Sequence, residues 1–322
     1  MNWEDKIIKN HSVMAFEDLT FEVFRHQLKH CEVYSDYAYA LGRTNPRSLA
    51  ELPYLPISFF KSRQIYSNQL TDVETVFKSS GTQGNRSAHY VSDLGLYRAS
   101  FEWSYRFFIG KPEEQVILAL LPNYLEQGDS SLVYMVDQLI QMSRNENSQF
   151  MLNDMTNIQR IVTDAQQSGK EVVVFGVAYS LLDLCDLGIE LQGVKVIETG
   201  GMKGKRKELS KEDLHLKLIK DLQLKTLYSE YGMTELLSQA YSNKYLQFQC
   251  PPWMRISIRD LYDPFTLLGD NKRGGINIID LANVQSCSFI ATEDTGISIK
   301  DKFQLRGRIE KSDLRGCNLL IE

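Results

Sequence analysis

The sequence predicts an α/β fold: layered, largely parallel sheets with flanking helices, plus a smaller β-rich subdomain. Three observations carry this. Short uninterrupted apolar runs such as Val172-Val173-Val174-Phe175 read as strands buried on both faces. Segments of helical periodicity separate those runs. From about residue 245 the helical periodicity stops, and short strands split by Asp, Gly and Asn take over.

In chain order, residues 15–41 read as helix, with Phe16, Leu19, Phe21 and Phe24 on one side and Gly42 at its end. Residues 52–56, Leu-Pro-Tyr-Leu-Pro, read as an extended connector, because each proline disfavours helix in the residue before it. A strand at 73–77 leads into a Gly-rich loop and then a helix over 93–108. Strands at 116–121, 171–178 and 194–198 alternate with helices at 129–144, 155–168 and 179–184. Ser210 to Asp213 reads as a capping box, opening a helix that turns Leu214, Leu218, Ile219 and Leu222 to one face. The last strands fall at 254–259, 275–280, 286–291 and 302–306. The expected organisation is one core domain over 1–306, with α/β layers over about 50–244 and a β-rich lobe over about 245–306, then a short tail over 307–322.

Composition narrows the function. The chain has 322 residues, 43% hydrophobic and 24% charged, with a net charge of −5. That acidity lacks the electrostatic footprint of a nucleic-acid binder. The polar start, Met-Asn-Trp-Glu-Asp-Lys, does not resemble a signal peptide, and no apolar run approaches the ~20 residues of a membrane span. A cytoplasmic protein is expected. Five cysteines (Cys31, Cys185, Cys250, Cys287, Cys317) form no C-x-x-C pair, and the five histidines fall at no metal-ligand spacing from them, so reduced thiols are expected.

Four segments carry chemistry. Residues 79–84, Ser-Ser-Gly-Thr-Gln-Gly, follow a strand; glycines let backbone N–H groups converge on phosphate oxygens, and Ser79, Ser80 and Thr82 add hydroxyls. An ordinary solvated turn has the same composition. Asn85-Arg86 after the second glycine excludes a Walker loop, and no Gly-x-Gly-x-x-Gly dinucleotide fingerprint is present. Residues 228–235, Tyr-Ser-Glu-Tyr-Gly-Met-Thr-Glu, place a hydroxyl beside a carboxylate, which suits a phosphate–magnesium unit but also a helix N-terminus. Further on, Asp294 lies in an acidic turn at 291–296, and Arg306 and Arg308 bring two cations.

Together and in this order, Ser-Ser-Gly-Thr-x-Gly, Tyr-Gly-x-Thr-Glu, the Thr-x-Asp segment and the late Gly-Arg resemble the adenylate-forming ligase superfamily: acyl-CoA synthetases, nonribosomal adenylation domains and luciferases. The compact length and the ending Arg-Gly-Cys-Asn-Leu look most like the acyl-protein synthetases of bacterial bioluminescence, with phenylacetate–CoA ligases the next group. The resemblance covers nearly the whole chain from about residue 50 and implies the N-terminal domain fold of that superfamily. It also implies ATP and Mg2+ as cofactors, a carboxylic acid as substrate, and a thiol on CoA, an acyl-carrier protein, an acyl reductase or the enzyme itself as acceptor. Carried over, Ser79, Ser80, Gly81, Thr82 and Gly84 would wrap the β- and γ-phosphates, with Arg86 where a lysine is usual. Thr234 would meet the α-phosphate, Glu235 the magnesium, Tyr231 and Gly232 the adenine, Asp294 the ribose and Arg308 the ribose and phosphate. The segments 175–180 and 198–202 would wall the acyl pocket.

Departures from the pattern leave questions open. Glu293 rivals Asp294 for the ribose, and the hinge position falls on Glu310 or Lys311. Relatives continue into a further lobe carrying a catalytic lysine, so the resemblance implies that this lobe is absent or vestigial here. Cys317, flanked by Arg315 and Gly316, is the counterpart of an acylated cysteine; the alternative is a buried residue of a terminal strand. Cys185 and Cys287 read as core, Cys250 as a weaker acceptor candidate, and His89 and His215 as structural or surface residues, His89 keeping a minor functional reading. Two other classes compete: an ATP-independent cysteine acyltransferase or thioesterase, and a non-catalytic nucleotide-binding protein.

Overall fold

The computed structural model of the chain describes residues 2–9, 11, 14–67, 73–80, 86–121, 128–200, 209–243 and 245–309. Two compact units divide it: unit 1 comprises Met1–Ser100, Thr234–Ser238 and Phe248–Glu322, and unit 2 comprises Phe101–Met233 and Gln239–Gln247.

Unit 1 begins with helices α1 (Phe16–His30) and α2 (Glu32–Ala40). The single helix expected over 15–41 is broken at Cys31, whose backbone is extended (φ −107°, ψ 98°). The break seats Tyr34 in the core, where its ring stacks on Phe289 at 5.5 Å and its hydroxyl donates to the Pro53 carbonyl at 2.9 Å. Strand β1 (Leu55–Pro56) and helix α3 (Phe59–Ser62) follow the proline connector. Strands β2 (Thr75–Lys78) and β3 (Ala88–Val91) form a separate antiparallel pair, in which Phe77 faces His89 and Lys78 faces Ala88. Helix α4 (Leu94–Phe108) starts where Asp93 Oδ1 accepts from Leu96 N at 2.8 Å.

Unit 2 shows the alternation read from the sequence. Its strands are β4 (Gln115–Leu120), β5 (Gln149–Phe150), β6 (Glu171–Val177), β7 (Lys195–Thr199), β8 (Leu227–Tyr231) and β9 (Ala240–Ser242). Strands β5-β4-β6-β7-β8 lie parallel in that order, and β9 pairs antiparallel with β8. The intervening helices are α5 (Ser131–Ser143), α6 (Ile158–Gln167), α7 (Ala178–Asp186) and α8 (Lys211–Asp221). The cap at Ser210 forms as expected, its Oγ accepting from Asp213 N at 3.0 Å. Ile158, Ile161 and Val162 of α6 and Leu214 and Leu218 of α8 join Val116, Val172, Val174 and Val196 in one buried cluster. Burial of both strand faces is why the β-runs are continuously apolar rather than alternating.

The chain then returns to unit 1 with β10 (Phe248–Gln249), β11 (Met254–Arg259), β12 (Leu267–Leu268), β13 (Gly274–Asp280), β14 (Phe289–Ile299) and β15 (Lys302–Arg308). These pair antiparallel in the order β12-β11-β13-β14-β15-β10, while β1 adds to β14 in parallel, Leu55 opposite Ile290. The strand expected at 286–291 starts at Phe289 and runs on to Ile299, so the acidic segment is strand and not turn. Hydrogen bonds to β13 and β15 satisfy its backbone on both sides, and a register shift between Thr295 and Gly296 absorbs the irregularity that its composition signals. From α1, the buried Gln27 reaches this region: Nε2 donates among the carbonyls of Asn283, Val284 and Ser286 at 3.0–3.2 Å, and Oε1 accepts from Ser288 N at 3.1 Å. No described helix is long and apolar enough to cross a membrane.

Candidate functional site

Ser79 and Ser80 follow β2, and Arg86 and Ser87 precede β3, at one end of the antiparallel pair. Ser79 N donates to Ser87 O, and Ser87 N donates to Ser79 Oγ, both at 3.0 Å. The Arg86 guanidinium donates to the carbonyls of Ser79 and, at 3.2 Å, Lys78. The neck of the loop is therefore closed by its own residues. Gly81, Thr82 and Gly84 lie outside the described residues, as do the hinge candidates Glu310 and Lys311, the segment 201–202, and Cys317 with its neighbours.

Thr234 and Glu235 sit in a turn after β8, and no helix follows before β9, which removes the helix-cap reading. Their backbone is gripped from two sides. His89 Nδ1 donates to Thr234 O at 2.8 Å, and its Nε2 meets the Asn283 side-chain amide at 2.9 Å. Asn283 Nδ2 donates to Glu235 O at 2.7 Å and to Cys287 O at 2.8 Å. His89 is wholly buried, and burial lowers its pKa to about 4, against the raising effect of its two hydrogen bonds. Its work is to hold the Thr-Glu turn, and Asn283 shares it; neither pairing was legible in the sequence.

Glu235 is 5% exposed. Burial raises its pKa; a hydrogen bond from Ser87 and the charge of Lys61 act the other way, and Asp294 adds a like charge. Glu235, Asp294, Ser87 and Lys61 thus form one electrostatic group at the neck of the phosphate-loop segment. The sequence motifs contain the first two; Lys61 and Ser87 carry no motif signal beyond their closeness to a proline connector and a loop end. Across the β14–β15 ladder, Asp294 faces Arg308, whose Nε lies 3.5 Å from Asp294 Oδ1. Arg308 is largely exposed, so that pair adds little stability by itself.

Unit 2 holds a second polar group at the C-terminal ends of its parallel strands, the usual place for a ligand crevice. Glu198 of β7 is fully buried. Lys211 Nζ donates to its Oε1 at 2.7 Å, and His215 Nε2 stands 3.7 Å from its Oε2. Burial works to raise the Glu198 pKa, but His215 and Lys211 outweigh it and leave it lowered. Next to it, Glu230 of β8 accepts from Thr199 Oγ1, and its carboxyl is pushed up to about 7 by burial and by the Glu198 charge. Ser229 Oγ meets His215 Nε2 at 3.0 Å. Tyr231 ends β8, 6% exposed. Gly232 follows because a Cβ there would stand 2.3 Å from Glu230 Oε1. Among the cysteines, Cys31 and Cys287 are buried, and burial raises the thiol pKa of Cys250, which disfavours its thiolate.

The family model for acyl-protein synthetase, LuxE, matches residues 8–322. The chain belongs to the acyl-protein synthetase family. One relative is the long-chain-fatty-acid–luciferin-component ligase of Aliivibrio fischeri, 24% identical over 273 residues, covering 79% of this chain and 71% of that protein. Among solved structures, 2-hydroxyisobutyryl-CoA ligase in complex with its acyl-adenylate matches with a TM-score of 0.63 at 11% identity, over 91% of this chain and 66% of that one. ATP-bound MatB from Rhodopseudomonas palustris matches with a TM-score of 0.56 at 15% identity. The match takes in 74% of this chain but spans about half, 48%, of MatB. These likenesses show that the chain shares the fold of those two proteins.

Proposed function

We propose that this protein activates a carboxylic acid, a fatty acid before an aryl acid, by adenylation with ATP, and then passes the acyl group to a thiol. The observation that carries the reading is the buried Glu235 carboxyl grouped with Asp294, Ser87 and Lys61, with Thr234 beside it on a turn locked by His89 and Asn283. In the first step a carboxylate oxygen of the acid attacks the α-phosphorus of ATP. The bond to the β-phosphate oxygen breaks and pyrophosphate leaves. In the second step a thiolate attacks the acyl carbon and AMP departs.

Within this reading Thr234 donates to the α-phosphate, Asp294 accepts from the ribose hydroxyls, Arg308 approaches ribose and phosphate, and Tyr231 and Gly232 border the adenine. Ser79 and Ser80, with Gly81, Thr82 and Gly84, surround the outer phosphates, and Arg86 becomes available to them once it releases the neck carbonyls. The Glu235 carboxylate is a hard oxygen donor, which suits magnesium held by one carboxylate and substrate phosphates. Bound there, Mg2+ would offset charge on the departing pyrophosphate. Cys317, CoA, an acyl-carrier protein and an acyl reductase are the candidate acceptors.

Carboxylate-dependent exchange of labelled pyrophosphate into ATP tests the first step. Nucleotide binding without exchange for any acid in a panel of fatty and aryl acids would overturn it in favour of a non-catalytic nucleotide binder. Mass spectrometry after incubation with ATP and a productive acid then tests Cys317: an unmodified residue alongside active exchange moves the acceptor to another molecule.

A further inference from the structure

Unit 1 contains a cavity of about 550 Å³ that the proposed reaction does not use. Side chains alternate across a strand. In β14, Ala291 and Glu293 line the cavity, while Asp294 belongs to the electrostatic group of Glu235. Thr292, on Asp294's side of the strand, lines it as well, whereas Asp294 itself does not. Its volume falls in the range of small-molecule sites, roughly 300–1,000 Å³.

The wall is mostly apolar, with Leu52, Ile57, Leu261, Phe265 and Leu267 among its residues. Two cations interrupt it. Arg43 lies with its guanidinium 4.2 Å from the centre of the Phe265 ring. Arg259 is 8% exposed. Its Nη1 donates to Ile276 O at 2.7 Å and to Asn277 Oδ1 at 2.9 Å, and its Nη2 donates to Thr292 O at 2.6 Å. All three acceptors are neutral. Two of its five N–H donors, on Nε and Nη2, have no acceptor among the described residues, and no carboxylate there pairs with it.

A buried guanidinium without a counter-charge is unfavourable, and burial lowers the Arg259 pKa from its ordinary value. Beside it, the buried Asn277 Nδ2 also has no partner. The strand is shaped to admit this cation, since a Cβ on Gly275 would stand 2.6 Å from Arg259 Cζ. With Glu293 the one carboxylate lining the cavity against Arg43 and Arg259, the lining charge is net positive.

We propose that this cavity is a second ligand site, taking an amphiphilic monocarboxylate whose head pairs with Arg259 and whose chain lies along the apolar wall. The two oxygens of a carboxylate match the two unused donors, and its charge is the one the guanidinium lacks. None of Glu235, Asp294, Ser87 and Lys61 lines the cavity, so the site is distinct from that group.

The test is photolabelling of the full chain, without ATP, by a fatty acid carrying a diazirine near the end of its chain. Peptide mass spectrometry should place label on segments 50–58 and 259–267. Excess dodecanoate should suppress it and excess dodecanol should not. Arg259→Gln should cut labelling of those segments about tenfold or more, the loss expected when a buried charge pair is broken. Ala50→Trp should do the same by another route, because Ala50 is exposed at the rim of the cavity and the substitution blocks entry without touching the core. If circular dichroism shows Arg259→Gln unfolded, Ala50→Trp alone decides. Label confined to other segments, equal competition by dodecanol, or wild-type labelling in the folded variants would overturn the site. Pyrophosphate exchange is measured apart, so its failure and this one are told apart.

Discussion

Two acidic residues, close in sequence, show how burial sets chemistry one side chain at a time. Glu235 is raised by burial and has Ser87 and Lys61 to offset it. Glu235→Gln keeps shape and hydrogen bonding but removes the charge, so it should fold with wild-type stability and lose pyrophosphate exchange on the order of 100-fold. Glu230 has no cation in direct contact and is pushed up to about 7. An acid with a raised folded-state pKa holds its proton more tightly folded than unfolded, so stability falls as pH climbs from about 4.5 to about 7. Thermal melts should show the wild type losing more stability between pH 5 and 8 than Glu230→Gln, by on the order of 3 kcal/mol. A parallel loss in both proteins would place the titration elsewhere. Sequence motifs named both the Thr-Glu pair and Asp294, but not the partners Lys61, Ser87 and Asn283, because those lie far along the chain and carry no spacing rule.

Elements were legible where one physical signal dominated. Continuous apolar runs marked β4, β6 and β7, and the Ser210 cap marked α8, since burial on both faces and a satisfied N-terminus leave direct traces in composition. The failures came from tertiary context. Asp294, Thr295 and Gly296 read as turn residues, but β13 and β15 on either side hold them in a strand. The second strand of the small pair, β3, is four residues long and beyond the reach of periodicity. The α8 reading yields a direct test. Leu218 is fully buried and Leu216, on the same helix, is 69% exposed. Leu218→Ala should cost about 2–5 kcal/mol in denaturant unfolding and Leu216→Ala within about 0.5 kcal/mol. The short 3-10 turn carrying Asn283 (Leu281–Asn283) should matter differently. Asn283→Ala leaves buried carbonyls unpaired, costs about 1–3 kcal/mol, and should raise the KM for ATP through the loosened Thr234-Glu235 turn.

For the molecule as a whole, nucleotide affinity should appear as stability. A ligand that binds only the folded state at about 100 times its Kd adds about 2.7 kcal/mol. ATP should therefore raise the melting temperature, Asp294→Ala should diminish that rise, and a nucleotide triphosphate lacking ribose hydroxyls should give less of it than ATP. An equal rise with both nucleotides would detach Asp294 from ribose recognition.

The reach of Gln27 has a further consequence for how the chain is made. Its side chain bonds residues 256 to 261 positions further on, and β1 likewise waits for Ile290 of β14. On the ribosome, the first hundred residues emerge long before those partners exist, whereas the strands and helices of unit 2 find one another within a single stretch. Contacts so distant are closed late and at an entropic cost. The nascent N-terminal segment must therefore remain unassembled while the middle of the protein condenses. A chaperone that shields the segment at that stage should raise the yield of folded protein, and Gln27→Ala, which strips four buried backbone groups of their partner, should lower both yield and stability.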